Sequence, residues 1–451
     1  MANKKIVNIS PGRILLTSFL FVIGVGAFLL SLPQARTVDI PFIDLLFTAV
    51  SATCVTGLHV IPMSYLTLFG QCVVLALIQI GGLGLMTLSF FLISLIMDLK
   101  LITKLVAGQL LEFELFSKIR TFLALIIGMT FVSELIGTII LYFPFRQFFD
   151  TKDAIFHAAF HSVSAFCNSG TSLLANNLAP YSQKPTILIP LALLIFIGGL
   201  GFIVWYEIAN HLLLKVKKDD EDTLKRMSLS LHTKVALTTS ILLVIIGALF
   251  FFFLEQGNTL RNFGIIDKIA NAFFMSTTTR TAGFNTVNLA QASLPTLFIF
   301  IILMFIGASP NSTGGGIKTT TFAIFLATIV SIVLKNKNSV EVSGRRIPVD
   351  QIYRTIIIVA LGLSWIVLTT LILLLTDKNF SFMQIFFEAV SSFSTSGLST
   401  GITPYLSKMG KFVIMTSMLI GRIGSLTLVL ALTTQKTTQL YSYPEERVII
   451  G

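Results

Sequence analysis

Phe47-Thr48-Ala49-Val50-Ser51-Ala52-Thr53-Cys54-Val55-Thr56-Gly57 is the stretch that decides how this chain is built, because its frame returns three more times. A phenylalanine stands ten residues before a glycine at Phe47 and Gly57, Phe160 and Gly170, Phe273 and Gly283, and Phe387 and Gly397. A hydroxyl residue stands six before each glycine, as Ser51, Ser164, Thr277 and Ser391. The glycines are 113, 113 and 114 residues apart, so one unit is copied four times. For one glycine alone, packing between membrane helices explains the residue equally well. Packing does not require four copies in matched register behind a half-length helix.

Composition sets the surroundings. Hydrophobic residues make up 54% of the chain and charged ones 12%, with apolar runs at 14–32, 68–97, 119–143 and 356–375. That is a polytopic membrane protein, whose backbone must satisfy itself inside helices, and the fold class is all-α. The first run resembles a secretory signal, since Lys4, Lys5 and Arg13 precede it and Leu32-Pro33-Gln34-Ala35 follows. It is read as a span instead, because each other unit has an equivalent helix. The net charge of +11 does not point to nucleic acid, because the basic residues lie in short loops between apolar runs. Alternate loops hold 20 Lys and Arg on one side and nine on the other, which makes the first side cytoplasmic, with both termini there. Cys54, Cys72 and Cys167 do not form a disulfide framework, and His59, His157, His161, His211 and His232 match no zinc spacing.

Each unit reads as a spanning helix, a half-helix, a glycine strip and a second spanning helix. In order these are 14–32, 42–53, 54–58 and 68–97; 119–143, 154–166, 167–172 and 186–214; 235–254, 266–278, 279–284 and 294–334; 352–375, 381–393, 394–401 and 408–432. The corresponding divisions are 1–98, 99–214, 215–335 and 336–434, followed by a cytoplasmic tail at 435–451. The whole is four tandem helix–pore loop–helix repeats, with eight transmembrane helices and four re-entrant pore helices around a central ion path. A half-helix of a dozen residues rises about 18 Å, short of the roughly 30 Å hydrocarbon core, so it must dip in and return. Its C-terminal dipole end favours a cation on the axis.

The strips Ala52-Thr53-Cys54-Val55-Thr56-Gly57-Leu58, Phe166-Cys167-Asn168-Ser169-Gly170, Thr279-Arg280-Thr281-Ala282-Gly283-Phe284-Asn285 and Phe393-Ser394-Thr395-Ser396-Gly397-Leu398 resemble those of the Trk/Ktr/HKT potassium transporter superfamily. The nearest resemblance is to its KtrB-type bacterial membrane subunits, from about residue 14 to the end of the chain. It implies a single-chain selectivity filter for potassium. The ion-coordinating carbonyls are then expected at Val55, Thr56 and Gly57, Asn168, Ser169 and Gly170, Thr281, Ala282 and Gly283, and Thr395, Ser396 and Gly397. Four glycines go with potassium in that superfamily, whereas a serine in the first strip goes with sodium in some plant relatives. Potassium is the expected substrate ion, and sodium dependence, with Na+ as coactivator, is left open.

Aligned from the strip glycines, the second helices share Ile80-Gly81-Gly82-Leu83-Gly84, Ile197-Gly198-Gly199-Leu200-Gly201, Ile306-Gly307-Ala308-Ser309-Pro310 and Ile420-Gly421-Arg422-Ile423-Gly424. In the third unit, Gly307, Pro310, Asn311, Ser312, Thr313, Gly314, Gly315, Gly316 and Lys318 make a continuous helix improbable and predict a loop at membrane depth. Such a loop must line a wet path, and its likeness to the KtrB-type intramembrane gating loop strengthens that reading. A phosphate loop is rejected, because the Gly-Lys pair is interrupted and no strand precedes it. Arg422 lies at matching depth, either donating to carbonyls of the loop as part of the gate or paired with Glu134 or Glu207. Arg280 is expected to turn away from the axis as a brace, with Glu388 as a candidate partner.

The resemblance also implies a homodimer, in which Tyr441-Ser442-Tyr443-Pro444 and the tail after it take part, and a cytosolic KtrA/KtrC-like ring of nucleotide-binding regulatory subunits. The segments 215–234 and 335–354 read as solvated loops on that face. The bilayer is the other partner, and the bacterial cell membrane the location. No cluster of acids, histidines or nucleophiles supports an enzyme. A coupled Na+/K+ carrier is the competing transport reading, although such folds often carry inverted repeats and these four share one orientation.

Overall fold

The computed structural model describes residues 11–84, 119–216, 229–334 and 340–424. Unit one comprises α1 (Pro11–Ser31), α2 (Phe42–Thr53) and α3 (Leu68–Gly82), and unit two comprises α4 (Ile119–Phe145), α5 (Thr151–Phe166), α6 (Pro185–Gly199) and α7 (Phe202–Val216). Unit three holds α8 (Leu231–Glu255), α9 (Ile265–Thr278), α10 (Leu294–Phe305) and α11 (Thr319–Val333). Unit four follows as α12 (Val349–Thr376), α13 (Phe382–Ser394) and α14 (Lys408–Ile423). The tail at 435–451 and most of the 215–234 segment lie outside the described residues.

Local chemistry sets the helix starts. Thr67, Ser293 and Ser407 accept the amides of Gly70, Thr296 and Gly410 at the heads of α3, α10 and α14. A capping box at α13 pairs Ser381 with Gln384, whose carboxamide oxygen accepts the Ser381 amide at 3.0 Å. Helices α8, α12 and the Ala124–Phe145 part of α4 are long and apolar enough to cross a membrane, and residues such as Phe131, Ile245 and Val367 stand exposed on their outer faces.

The second helices do not run as the sequence reading had them. Instead of one helix over 186–214, α6 and α7 meet at a 95° bend. Helices α3 and α14 stop at Gly82 and Ile423, each followed by a positive-φ glycine, Gly84 at 78° and Gly424 at 91°. Gly201, at 93°, holds the same place between α6 and α7. A glycine in that region ends a helix without Cβ strain, so the last glycine of each Ile-Gly-Gly-Leu-Gly or Ile-Gly-Arg-Ile-Gly run is a stop signal. The remainders of 68–97 and 408–432 lie outside the described residues.

The all-α reading also misses a hairpin, β1 (Glu341–Val342) against β2 (Arg345–Arg346), turning on Ser343 and Gly344 with φ of 50° and 74°. Two successive positive-φ residues make the hairpin turn that matches strand twist. Val340 and Ile347 beside it are buried, so the described part, 340–354, is not merely a solvated loop, while 335–339 lie outside the described residues.

Each half-helix packs within its own unit and also on the second helix of the unit before: α5 on α3, α9 on α6, α13 on α10, and α2 on α14. The last contact joins the end of the described chain to its beginning and closes a ring. Lys411 Nζ on α14 lies 2.7 Å from Asp44 Oδ1 on α2 at that seam, with both side chains nearly buried. Removing one partner of a buried pair leaves an uncompensated charge, worth about 3–5 kcal/mol. Asp44→Asn is therefore expected to lower the melting temperature in detergent, with most of the loss recovered by adding Lys411→Met. A double variant as unstable as the single one would show that the pair does not hold the seam.

Candidate functional site

The four half-helices deliver their C-terminal ends to one place. After α2 the chain turns at Cys54 and enters two positive-φ residues separated by one, Val55 at 55° and Gly57 at 83°. The same alternation recurs as Asn168 (59°) and Gly170 (68°), Thr281 (69°) and Gly283 (79°), and Thr395 (50°) and Gly397 (80°). Non-glycine residues rarely adopt this conformation, and four of them at one register position mark an imposed backbone geometry.

What imposes it is visible behind each strip. The amides of Thr56, Ser169 and Ser396 donate at 2.8–2.9 Å to the carbonyls of Ser51, Ser164 and Ser391, so the chain folds back on the last turn of the half-helix. Gly57 N donates to Ser51 Oγ at 3.1 Å, and Ser164 Oγ donates to Thr171 O at 2.7 Å. Unit three departs by one residue. There Thr278, not Thr277, donates to Phe284 O at 2.8 Å, and Ala282 N reaches Thr278 O at 3.0 Å.

The glycines are forced by neighbours as well as by φ. A Cβ on Gly57 would overlap Ser169 O, one on Gly170 would overlap Ala282 O, one on Gly283 would come within 2.8 Å of Ser396 O, and one on Gly397 would overlap Thr56 O. Read in order, each glycine meets the next unit's carbonyl, and the fourth returns to the first. The structure thus brings Thr56, Ser169, Ala282 and Ser396 together around one ring with their glycines. Gly81, Gly198 and Gly421 serve a different need, because a Cβ on each would overlap Thr53 O, Phe166 O or Phe393 O at the end of a half-helix.

Residues 307–318 form a loop between α10 and α11, pinned at its base by a parallel bridge of Ile306 with Ile317 and by Gly307 N donating to Ile317 O at 2.8 Å. Its small residues press on the strips. A Cβ on Gly314 would overlap Thr281 Oγ1, one on Gly315 would overlap Thr395 Oγ1, and Thr313 Oγ1 donates to Phe166 O at 3.1 Å. The loop also completes the broken second helix of unit two. Ser309 N and Thr313 N donate to Gly199 O and Gly198 O at 3.0 and 3.3 Å, while Asn311 O accepts Phe202 N at 2.9 Å. These exchanges pair backbone groups of the loop with those freed where the second helix of unit two breaks. Lys318 Nζ turns back to Gly314 O at 2.7 Å.

Arg422 donates to Thr313 O on the loop and to Gly81 O at the end of α3. Of the two arrangements open from sequence, contact with the loop is the one the structure contains. Glu134 accepts from Gln79 Nε2 at 3.2 Å and Glu207 accepts the Ser230 amide at 3.1 Å. Arg280 is not joined to Glu388 either. It reaches Ser240 and Gly307 O, while Glu388 accepts from Thr403. The break in unit two and the partners of Arg280 were missed; the doubled glycine of Gly198-Gly199-Leu200-Gly201 was the available signal for the first.

The description TrkH: Cation transport protein matches residues 14–440. The chain belongs to this family of membrane transport proteins. The Ktr system potassium uptake protein B of Vibrio alginolyticus is 37% identical over 97% of this chain and 94% of its own length. Its Bacillus subtilis namesake is 34% identical over 99% and 98%. The potassium/sodium uptake protein NtpJ of Enterococcus hirae is 34% identical over 98% of each. The crystal structure of the potassium transporter TrkH from Vibrio parahaemolyticus superposes with a TM-score of 0.72 over 96% of this chain and 87% of that one, at 19% identity. That last likeness speaks for the shared fold alone. As a TrkH-family member the chain is a transporter rather than an enzyme.

Proposed function

We propose that the protein carries potassium into the cell through the ring of four glycine strips. The observation that carries the proposal is the closed cycle in which Gly57, Gly170, Gly283 and Gly397 each abut the carbonyl before the next unit's glycine. Carbonyls at Val55, Thr56, Asn168, Ser169, Thr281, Ala282, Thr395 and Ser396, with the four glycines, replace the water around the ion. Membrane potential supplies about 2.3 kcal/mol per charge for each 100 mV. The loop from Gly307 to Lys318, with Arg422, is the gate beneath. The working assembly is a homodimer in the bacterial cell membrane with both termini in the cytoplasm, regulated by a nucleotide-binding cytosolic ring; in support, two relatives of this chain are named as proteins of a Ktr system.

A second reading, a coupled Na+/K+ carrier, is favoured by the name of the Enterococcus relative. Uptake in a potassium-transport-deficient bacterial strain separates them: potassium flux that follows the membrane potential at equal sodium on both sides supports the pore, and flux that follows the sodium gradient supports the carrier. Gly57→Ser, whose Cβ also meets Ser169 O, is expected to insert normally and to show at least tenfold weaker potassium-over-sodium discrimination in the uptake that remains. Unaltered discrimination in that variant would remove the filter assignment.

A further inference from the structure

Arg280 lies inside the third strip and is 6% exposed. Its Nη1 donates to Ser240 O at 3.1 Å, and its Nη2 donates to Ser240 Oγ at 3.2 Å and to Gly307 O at 3.3 Å. Ser240, on α8, is fully buried, and its hydroxyl lies 3.3 Å from Ser309 Oγ. Ser309 Oγ is in turn 3.0 Å from Thr319 Oγ1, and Thr319 N donates to Ala308 O at 3.3 Å. Gly307 and Ser309 are where the chain leaves α10, and Thr319 is where it enters α11. One connected set of hydrogen bonds therefore joins the third strip to both ends of the 307–318 loop.

All these partners of Arg280 are neutral, so the guanidinium gains directed hydrogen bonds rather than an ion pair. A planar donor with several N–H groups can hold two segments at a fixed separation, which one hydroxyl cannot. Hydrogen bonds chained in the interior in this way polarise and strengthen one another.

We infer that Arg280 is a positioning residue that couples the third strip to the hinge of the loop through Ser240 and Ser309, so that an ion held by the strips steadies the loop. The inference rests on reading the strips as the ion filter and the loop as the gate. Its hydrogen bonds to Ser240 on α8 and to Gly307 O hold the guanidinium against the neighbouring elements. A brace of purely structural value would hold the loop equally with or without potassium; a coupling element would not.

Hydrogen exchange of the 307–318 amides in the full-length protein, in potassium chloride and in choline chloride, tests this. Potassium is expected to slow exchange in the parent at least fivefold, and Ser240→Ala to cut that factor below twofold. Ser309→Ala acts as a second route to the same break, and the double variant should respond no less than either single one, because all three break one network. A potassium response unchanged in both single variants, or absent in the parent, overturns the coupling. Should Gly57→Ser keep its discrimination, the filter reading fails; should it lose discrimination while Ser240→Ala leaves the loop response intact, the coupling alone fails.

Discussion

Gly397→Ala is expected to abolish selective potassium uptake, by at least a hundredfold, in a chain that still inserts and purifies. Two effects act together, and one dominates. A φ of +80° costs an alanine about 1–2 kcal/mol, which a stable ring would survive. The larger effect is the overlap of the new Cβ with Thr56 O, a backbone atom that cannot rotate out of the way. Gly57 and Gly170 meet backbone carbonyls in the same manner, so their alanine variants belong with Gly397→Ala. At Gly283 the nearest atom is 2.8 Å away, and Gly283→Ala is expected to be the mildest of the four. Initial rates of potassium and rubidium uptake, normalised to protein in the membrane, give the ranking. Equal losses at all four positions, or the heaviest at Gly283, would contradict the ring as described.

Arg422→Gln is expected to raise the maximal uptake rate at least tenfold. The guanidinium holds Thr313 O on the loop and Gly81 O on α3, so its loss leaves two inward carbonyls without their charged donor and loosens the loop from the first unit. On the proposed pathway it also withdraws a positive charge from beside the ion. Repulsion between like charges is far stronger in a poorly hydrated site than in bulk water, and removing it lowers the barrier to a passing cation. Uptake at saturating potassium, compared with the amount of protein in the membrane, is the measurement. Unchanged transport together with reduced yield would assign Arg422 to folding instead.

The half-helices were the most legible part of the sequence. The ends of α2 at Phe42 and Thr53, and of α5 and α9 at Phe166 and Thr278, coincide with those read from the repeat, because each ends where a hydroxyl-rich run meets the strip. Positive φ at Val55, Asn168, Thr281 and Thr395 was not legible, since those side chains share no chemistry; the backbone hydrogen bonds that fold each strip onto the last turn of its half-helix impose it. The bend after Gly199 was hidden by hydropathy, which continues unbroken through Leu200 and Phe202, and hydropathy carries no information about direction. Ser240 was overlooked for a similar reason. A serine in Leu237-Thr238-Thr239-Ser240-Ile241 looks like any small residue of a membrane helix, and only its distance to Arg280 and Ser309 sets it apart. Glu388 attracted attention by charge alone, whereas the nearest donor that folding brings to it is Thr403.

The contact of α2 with α14 has a bearing on biogenesis. The first half-helix is synthesised some 360 residues before its outer neighbour, and its Asp44 has no buried cation beside it until Lys411 emerges. At about 5–20 residues per second, that interval lasts from roughly 20 seconds to more than a minute. A nascent chain is therefore an open arc with a polar seam, and chains terminated before α14 should be recognised by quality control as incomplete rather than persist as leaks.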